Sequence, residues 1–107
     1  MDNITYTMQR TPCEEYRWHV TPIIRKEIAL CLVEVFSLSN VEAAKKLGVT
    51  PAAICQYLHG KRGNGVLDES LHYEIAYSAE RIMRDGQIVA QKEICRICSI
   101  IQKKNKK

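Results

Sequence analysis

The chain has 107 residues, 46% of them hydrophobic, with 5 Gly, 3 Pro and a formal net charge of +4. That length and apolar content set one folded domain with a modest core and exclude a disordered tail, and so few glycines and prolines leave few turns for an all-β design. The expected fold class is therefore all-α, a five-helix bundle, and the mildly basic charge is compatible with a polyanion partner without requiring one.

Residues 1–20 show no sustained period and contain Thr11-Pro12-Cys13, so they read as an irregular N-terminal arm that packs Tyr16 and Trp18 onto the bundle. Thr21-Pro22 then reads as a helix start, with threonine as cap and proline in the first turn, where no N–H is missed. Ile24, Ile28, Cys31 and Val35 follow at i, i+4, i+7 and i+11, with Leu32 beside them, giving one buried stripe over about fifteen residues. Ser39-Asn40-Val41-Glu42 matches a capping box. It opens a short helix with Val41, Ala44 and Leu47 on one side, which Gly48 ends by taking positive φ.

Thr50-Pro51 starts the next helix, with Ile54, Tyr57 and Leu58 as its apolar side and Gly60 as its stop. Residues 61–65 are expected to be a loop. Asp68 caps a fourth helix over 69–84 with Leu71, Ile75, Ala79 and Ile82 inward, closed by Gly86. A fifth runs over about 87–102, with Ile88, Cys95, Cys98 and either Ile94 or Ile101 near the core. Residues 21–66 thus form one unit, residues 67–102 a helical hairpin on the same compact domain, and residues 103–107 a basic tail. The bland reading of that tail is a solvated, frayed helix end, and supplementary phosphate contact is the other.

The polar start of the chain has no apolar run, and no stretch reaches the roughly 20 apolar residues of a membrane span. A cytoplasmic protein with no membrane partner is expected. The 5 cysteines are an odd number without a regular framework, which argues against a disulfide scaffold.

The two short helices joined by Leu47-Gly48-Val49-Thr50 have the dimensions of a helix-turn-helix. Ala43 and Ala44 let the two axes cross closely, Gly48 tolerates the turn, and Val49 and Ile54 anchor the second helix from beneath. The first-turn N–H groups of the second helix and its positive dipole end suit a DNA phosphate. Thr50, Pro51, Ala52 and Ala53 present a small outer face that admits a major groove about 12 Å wide, and Gln56 can pair with adenine or hold a phosphate. Lys61 and Arg62, just past the helix end, are placed to clamp the backbone. The same spacing also fits a plain αα-hairpin, against which the threonine cap, the small outer face and the Gly60-Lys61-Arg62-Gly63 exit weigh together.

Over residues 41–63 the pattern Val41-Glu42-Ala43-Ala44, Leu47-Gly48-Val49-Thr50-Pro51-Ala52-Ala53-Ile54, Gln56-Tyr57-Leu58 and Gly60-Lys61-Arg62-Gly63 resembles the phage-repressor (Xre/Cro-like) helix-turn-helix family, and the match extends over about 21–63. Pro12-Cys13-Glu14 and Pro22-Ile23-Ile24-Arg25 are similar to elements of a compact archaeal regulator group of this class. In that group a Cys-x-x-Cys pair often lies near the C-terminus. The chain departs from the common pattern at Cys55, where serine is usual, and at Pro51, where glutamine is usual. The resemblance implies a lambda-repressor-like fold and sequence-specific binding of double-stranded DNA, usually by a homodimer. The residues of 69–102 are expected to cap the core and form the two-fold interface, with half-sites about one DNA turn apart.

Cys95 and Cys98 stand at i and i+3 on one helix. With Cys13 from the arm they could hold zinc or an iron–sulfur cluster, with Cys31, His19 or an external donor completing the set and the cluster modulating the DNA-binding helix. The alternative is that cysteine acts as a small apolar filler, and Cys31 and Cys55 read as core or helix-contact residues. His19, His59 and His72 read as isolated surface or satisfied histidines.

No catalytic residues are assigned, because no nucleophile elbow, phosphate-binding glycine loop or His-Glu-x-x-His is present. Three function classes stand side by side: a DNA-binding transcriptional regulator, which the residues favour, a helical interaction protein of antitoxin or scaffold type, and a small thiol enzyme using Cys13 or the Cys95/Cys98 pair.

Overall fold

The computed structural model describes residues 12–63 and 65–105, and the side chains of 19–63 and 65–104. Every regular element among them is helical. The expected all-α, five-helix fold is observed.

Helix α1 spans Pro12–Glu34 and carries Pro22 in its interior. The expected start at Thr21 is therefore wrong, and residues 12–20 are helical rather than an irregular arm. Proline's fixed φ is compatible with a helix, and its cost is the missing bond to the carbonyl of residue 18. A Thr-Pro pair marks a helix start only when the preceding residues cannot themselves be helical. The packing of Tyr16 and Trp18 falls on side chains outside the described residues. Ile24, Ile28, Ala29 and Leu32 are fully buried. Val35 lies beyond the helix end and is 68% exposed, so it is not part of the stripe. There the chain turns, with Ser37 at φ 61°, and brings Phe36 and Leu38 against the core.

Helices α2 (Asn40–Leu47) and α3 (Pro51–Leu58) form as local chemistry dictates. Ser39 Oγ accepts from Glu42 N at 3.1 Å while Glu42 Oε1 accepts from Ser39 N at 2.9 Å, closing the capping box. Gly48 takes φ +80° and donates to the Ala44 carbonyl. Thr50 Oγ1 then accepts from Ala53 N at 3.0 Å, with Pro51 at the first helical position. Gly60, at φ +73°, ends α3, and Lys61 N donates to the Gln56 carbonyl at 2.8 Å across the exit. Val41 is 57% exposed, whereas Ala43, Ala44 and Leu47 form the buried face. Two residues along a helix is about 200° of rotation, so Val41 and Ala43 cannot both face inward.

A 3₁₀ turn over Glu69–Leu71, capped by Asp68, leads into α4 (His72–Asp85). Leu71, Ile75, Ala79 and Ile82 are buried as expected. Gly86 ends α4, and α5 runs over Gln87–Asn105. Here the expected phase is wrong in part. Ile88 is 82% exposed, about 200° round from Ala90. Ile94 and Ile101 are both buried, as are Val89, Ala90, Ile97 and Cys98, while Cys95 is half-buried. Residues 103–105 belong to this helix, with Lys103 and Lys104 exposed. Lys104 Nζ donates to Ser70 Oγ at 2.6 Å.

One cluster joins α1, α2, α3, α4 and α5, with Ile24, Ile28, Leu32, Ile54, Ile82 and Ile97 at 0% exposure. Burying each such side chain contributes roughly 1.5–3 kcal/mol. Residues 67–102 join this core through α1 and α2, which α4 and α5 both contact. A buried polar network stitches α4 to α5. Glu93 accepts from Ser78 Oγ at 2.7 Å, from Arg96 Nε at 3.0 Å and from Arg81 Nη1 at 3.1 Å. Arg96 also reaches Glu74 and lies 5.1 Å over the Tyr77 ring. Among the described residues no helix is long and apolar enough to cross a membrane.

Candidate nucleic-acid interface

Helix α3 rests on α1 and α2 through Ala53, Ile54 and Tyr57, which are 5%, 0% and 3% exposed. These three positions, together with half-buried Leu58, determine what the other side presents. Pro51, Ala52, Cys55 and His59 are exposed, and Gln56 is half-buried. Of the expected groove-facing residues, Pro51 and Ala52 are therefore on the outside and Gln56 flanks them. Ala53 is corrected: its methyl group is in the core and is not available to a partner. One residue of a helix is about 100°, so two consecutive alanines in a first turn point to different sides.

Thr50 is exposed, but its hydroxyl oxygen is engaged as the cap of Ala53 N. Pro51 has no N–H, and Ile54 N bonds the Thr50 carbonyl at 3.1 Å. The N–H of Ala52 is consequently the one first-turn donor without an acceptor among the described residues. The anion-binding capacity of this helix end is narrower than the sequence suggests, one amide plus the dipole.

Cys55 is corrected in the opposite sense. It was expected in a core or helix-contact register and is exposed, with its Sγ 3.4 Å from His59 Nδ1. That ring nitrogen also lies 2.8 Å from the Cys55 carbonyl, so His59 is a satisfied surface histidine held against the last turn. Ala52, Cys55 and His59 stand at i, i+3 and i+7, the outermost line of α3. The signal for them was in the sequence: once Ile54 and Tyr57 face inward, helical spacing leaves 52, 55 and 59 outside.

Lys61 and Arg62 are exposed just past α3. The loop that carries them is held in place by close backbone approach to α1. A Cβ on Gly63, which has φ +71°, would lie 2.6 Å from the Pro22 carbonyl oxygen. Lys26 Nζ donates to the Gly65 carbonyl at 2.7 Å. Arg62 folds back over the Tyr57 ring at 6.0 Å, at the outer limit of a cation–π contact. From 40 to 63 the chain carries Lys45, Lys46, Lys61 and Arg62 against the single acid Glu42, and Glu42 is occupied in the capping box. Segment 40–63 is thus net positive, with exposed Lys61 and Arg62 at the exit of α3.

The cysteines expected to hold a metal are not assembled by the described residues. Cys98 is 2% exposed in the core, and the half-buried Cys95 accepts from Gln91 Nε2 at 3.3 Å. The Cys13 side chain lies outside the described residues, and burial pushes the Cys31 thiol up from its ordinary value. Among the described residues no group of three or more His, Cys, Asp or Glu side chains is placed to hold a metal ion.

The chain was compared with protein-family models, with curated proteins and with solved structures, and none of the three gave a match.

Proposed function

We propose that this chain is a DNA-binding transcriptional regulator that reads a duplex with α3. The observation that carries the reading is the division of α3 itself. One side is locked into the core by Ala53, Ile54 and Tyr57, and the other presents a bulk-free edge of Pro51 and Ala52 beside Gln56. A helix held from beneath and small above is what entry into a groove about 12 Å wide requires. Lys61 and Arg62 add phosphate contact at the far end, and Gln56 with the exposed Cys55 and His59 are the side chains left to meet base edges. No step of this reading runs through a metal. Two copies on a two-fold site extend the proposal, and sedimentation at micromolar concentration checks it, a monomer on duplex removing that part.

Selection from a pool of random duplexes, followed by anisotropy titrations at several salt concentrations, tests the reading. The selected duplex should bind with a salt slope that falls by about 2 in the Lys61→Glu/Arg62→Glu variant, since each lost phosphate contact removes about 0.9. Ala52→Glu, at an exposed position, should abolish binding with the fold intact. A pool that yields no enriched duplex, or a slope unmoved by the charge reversal, returns the chain to the class of helical interaction proteins.

A further inference from the structure

Behind the α2–α3 turn, α1 and the first half of α5 enclose a half-open cavity of about 220 Å³. Gln87 and Gln91 line it with two amides, Arg25 is the charged side chain that borders it among the described residues, and Val49, Ala90 and Ile94 add a smaller apolar side to a mostly polar lining. The Gln87 amide is fixed in place by donating to the Lys45 carbonyl at 3.1 Å. Three arginines are half-buried among the described residues: Arg25, Arg81 and Arg96. Arg81 and Arg96 are ion-paired with Glu93 and Glu74. Arg25 has no hydrogen-bond or ion-pair partner among the described residues.

A guanidinium presents a planar fork of donors, and what Arg25 lacks is a planar pair of acceptor oxygens. We propose that the cavity is a binding site for a small organic carboxylate, with Arg25 as its two-pronged anchor. The apolar side takes the carbon body, and the amides of Gln87 and Gln91 meet a hydroxyl or carbonyl group on it. The volume is below the roughly 300–1,000 Å³ of pockets that hold drug-sized ligands, so the acid is a compact one. An inorganic phosphate fits less well, because its second charge would have a single cation among the described lining residues to answer it. The proposal stands independently of duplex binding, since both its chemistry and its test concern the free chain.

The test is an amide-proton NMR titration of the ¹⁵N-labelled full chain with acetate, pyruvate and lactate, and separately with inorganic phosphate. At least one of the carboxylates should shift the backbone amides of Gly48, Val49 and Gln91 and the side-chain amides of Gln87 and Gln91, saturating in the millimolar range or tighter. Arg25→Gln should remove the saturable shifts while leaving the rest of the spectrum in place. Arg25→Lys, which keeps the charge and loses the fork, should weaken binding by about tenfold. The proposal is overturned if none of the three carboxylates saturates, if phosphate binds these amides as tightly as the best carboxylate, or if either Arg25 variant titrates like the parent.

Discussion

Removing the Glu93 carboxylate tests how far the α4–α5 pair depends on its buried polar network. Glu93 is 3% exposed and Ser78 0%, so Glu93→Ala leaves the Ser78 hydroxyl hydrogen without its acceptor in the core. An orphaned buried donor costs about 1–3 kcal/mol. Breaking a buried ion pair from one side costs about 3–5 kcal/mol when the remaining charge is sealed from water. Here it is not sealed. Arg96 and Arg81 keep 34% and 36% of their side-chain surface in solvent, and Arg96 retains Glu74, so only the lower part of that range applies. The expected loss is about 3 kcal/mol, which for a domain of this size lowers the thermal midpoint by roughly 10–15 °C. Glu93→Gln keeps the volume and an acceptor for Ser78, and is expected to lose about 1 kcal/mol. Thermal unfolding followed by circular dichroism measures both. A Glu93→Ala midpoint within about 3 °C of the parent, or a Gln variant as damaged as the Ala variant, refutes the assignment of this stability to the network.

Further outcomes follow from other residues. Burial would raise the Glu93 carboxyl, but the Ser78 hydrogen bond, the Arg96 hydrogen bond and charge, and the Arg81 charge outweigh it and hold the group below its ordinary value. Its contribution is therefore present above the unfolded carboxylate value of about 4.3 and lost as pH falls below it. The gap in thermal midpoint between the parent and Glu93→Gln should shrink below about pH 4, and a gap that widens there contradicts the sign. Gly63→Ala forces a Cβ 2.6 Å from the Pro22 carbonyl at φ +71°, whereas Gly60→Ala at φ +73° meets open space. The second should cost about 1–2 kcal/mol for the left-handed backbone alone and the first at least twice that in chemical denaturation, with equal costs removing the close approach as a cause. Among the four described cysteines of the folded protein a maleimide should label Cys55 first, then the half-buried Cys95 and Cys31, and Cys98 last. Peptide mass spectrometry gives the order, and early labelling of Cys98 is inconsistent with its place in the core.

What the sequence determined by itself is whatever is decided within three or four residues. The Ser39–Glu42 box, the Thr50 cap with Pro51, the left-handed Gly48 and Gly60 and the Asp68 cap are each closed by atoms close in the chain. Boundaries of α2 and α3 and the end of α4 were accordingly legible, and with them the outward edge of α3 at Pro51 and Ala52, whereas α4 starts at His72 behind a 3₁₀ turn and not at residue 69. Tertiary structure decided everything that offered two local solutions. Val41 against Ala43, and Ile88 against Ala90, are apolar pairs two residues apart, and only the neighbouring helix selects which of two faces about 200° apart is covered. Pro22 could begin a helix or interrupt one. Arg25 and Arg96 look alike in the chain, yet Arg96 meets Glu74 and Glu93 across α4 and α5 while Arg25 borders a cavity with no acid among its described lining residues. A side chain's partner across a helix interface depends on docking distance and rotation, and no stretch of local sequence encodes either one alone.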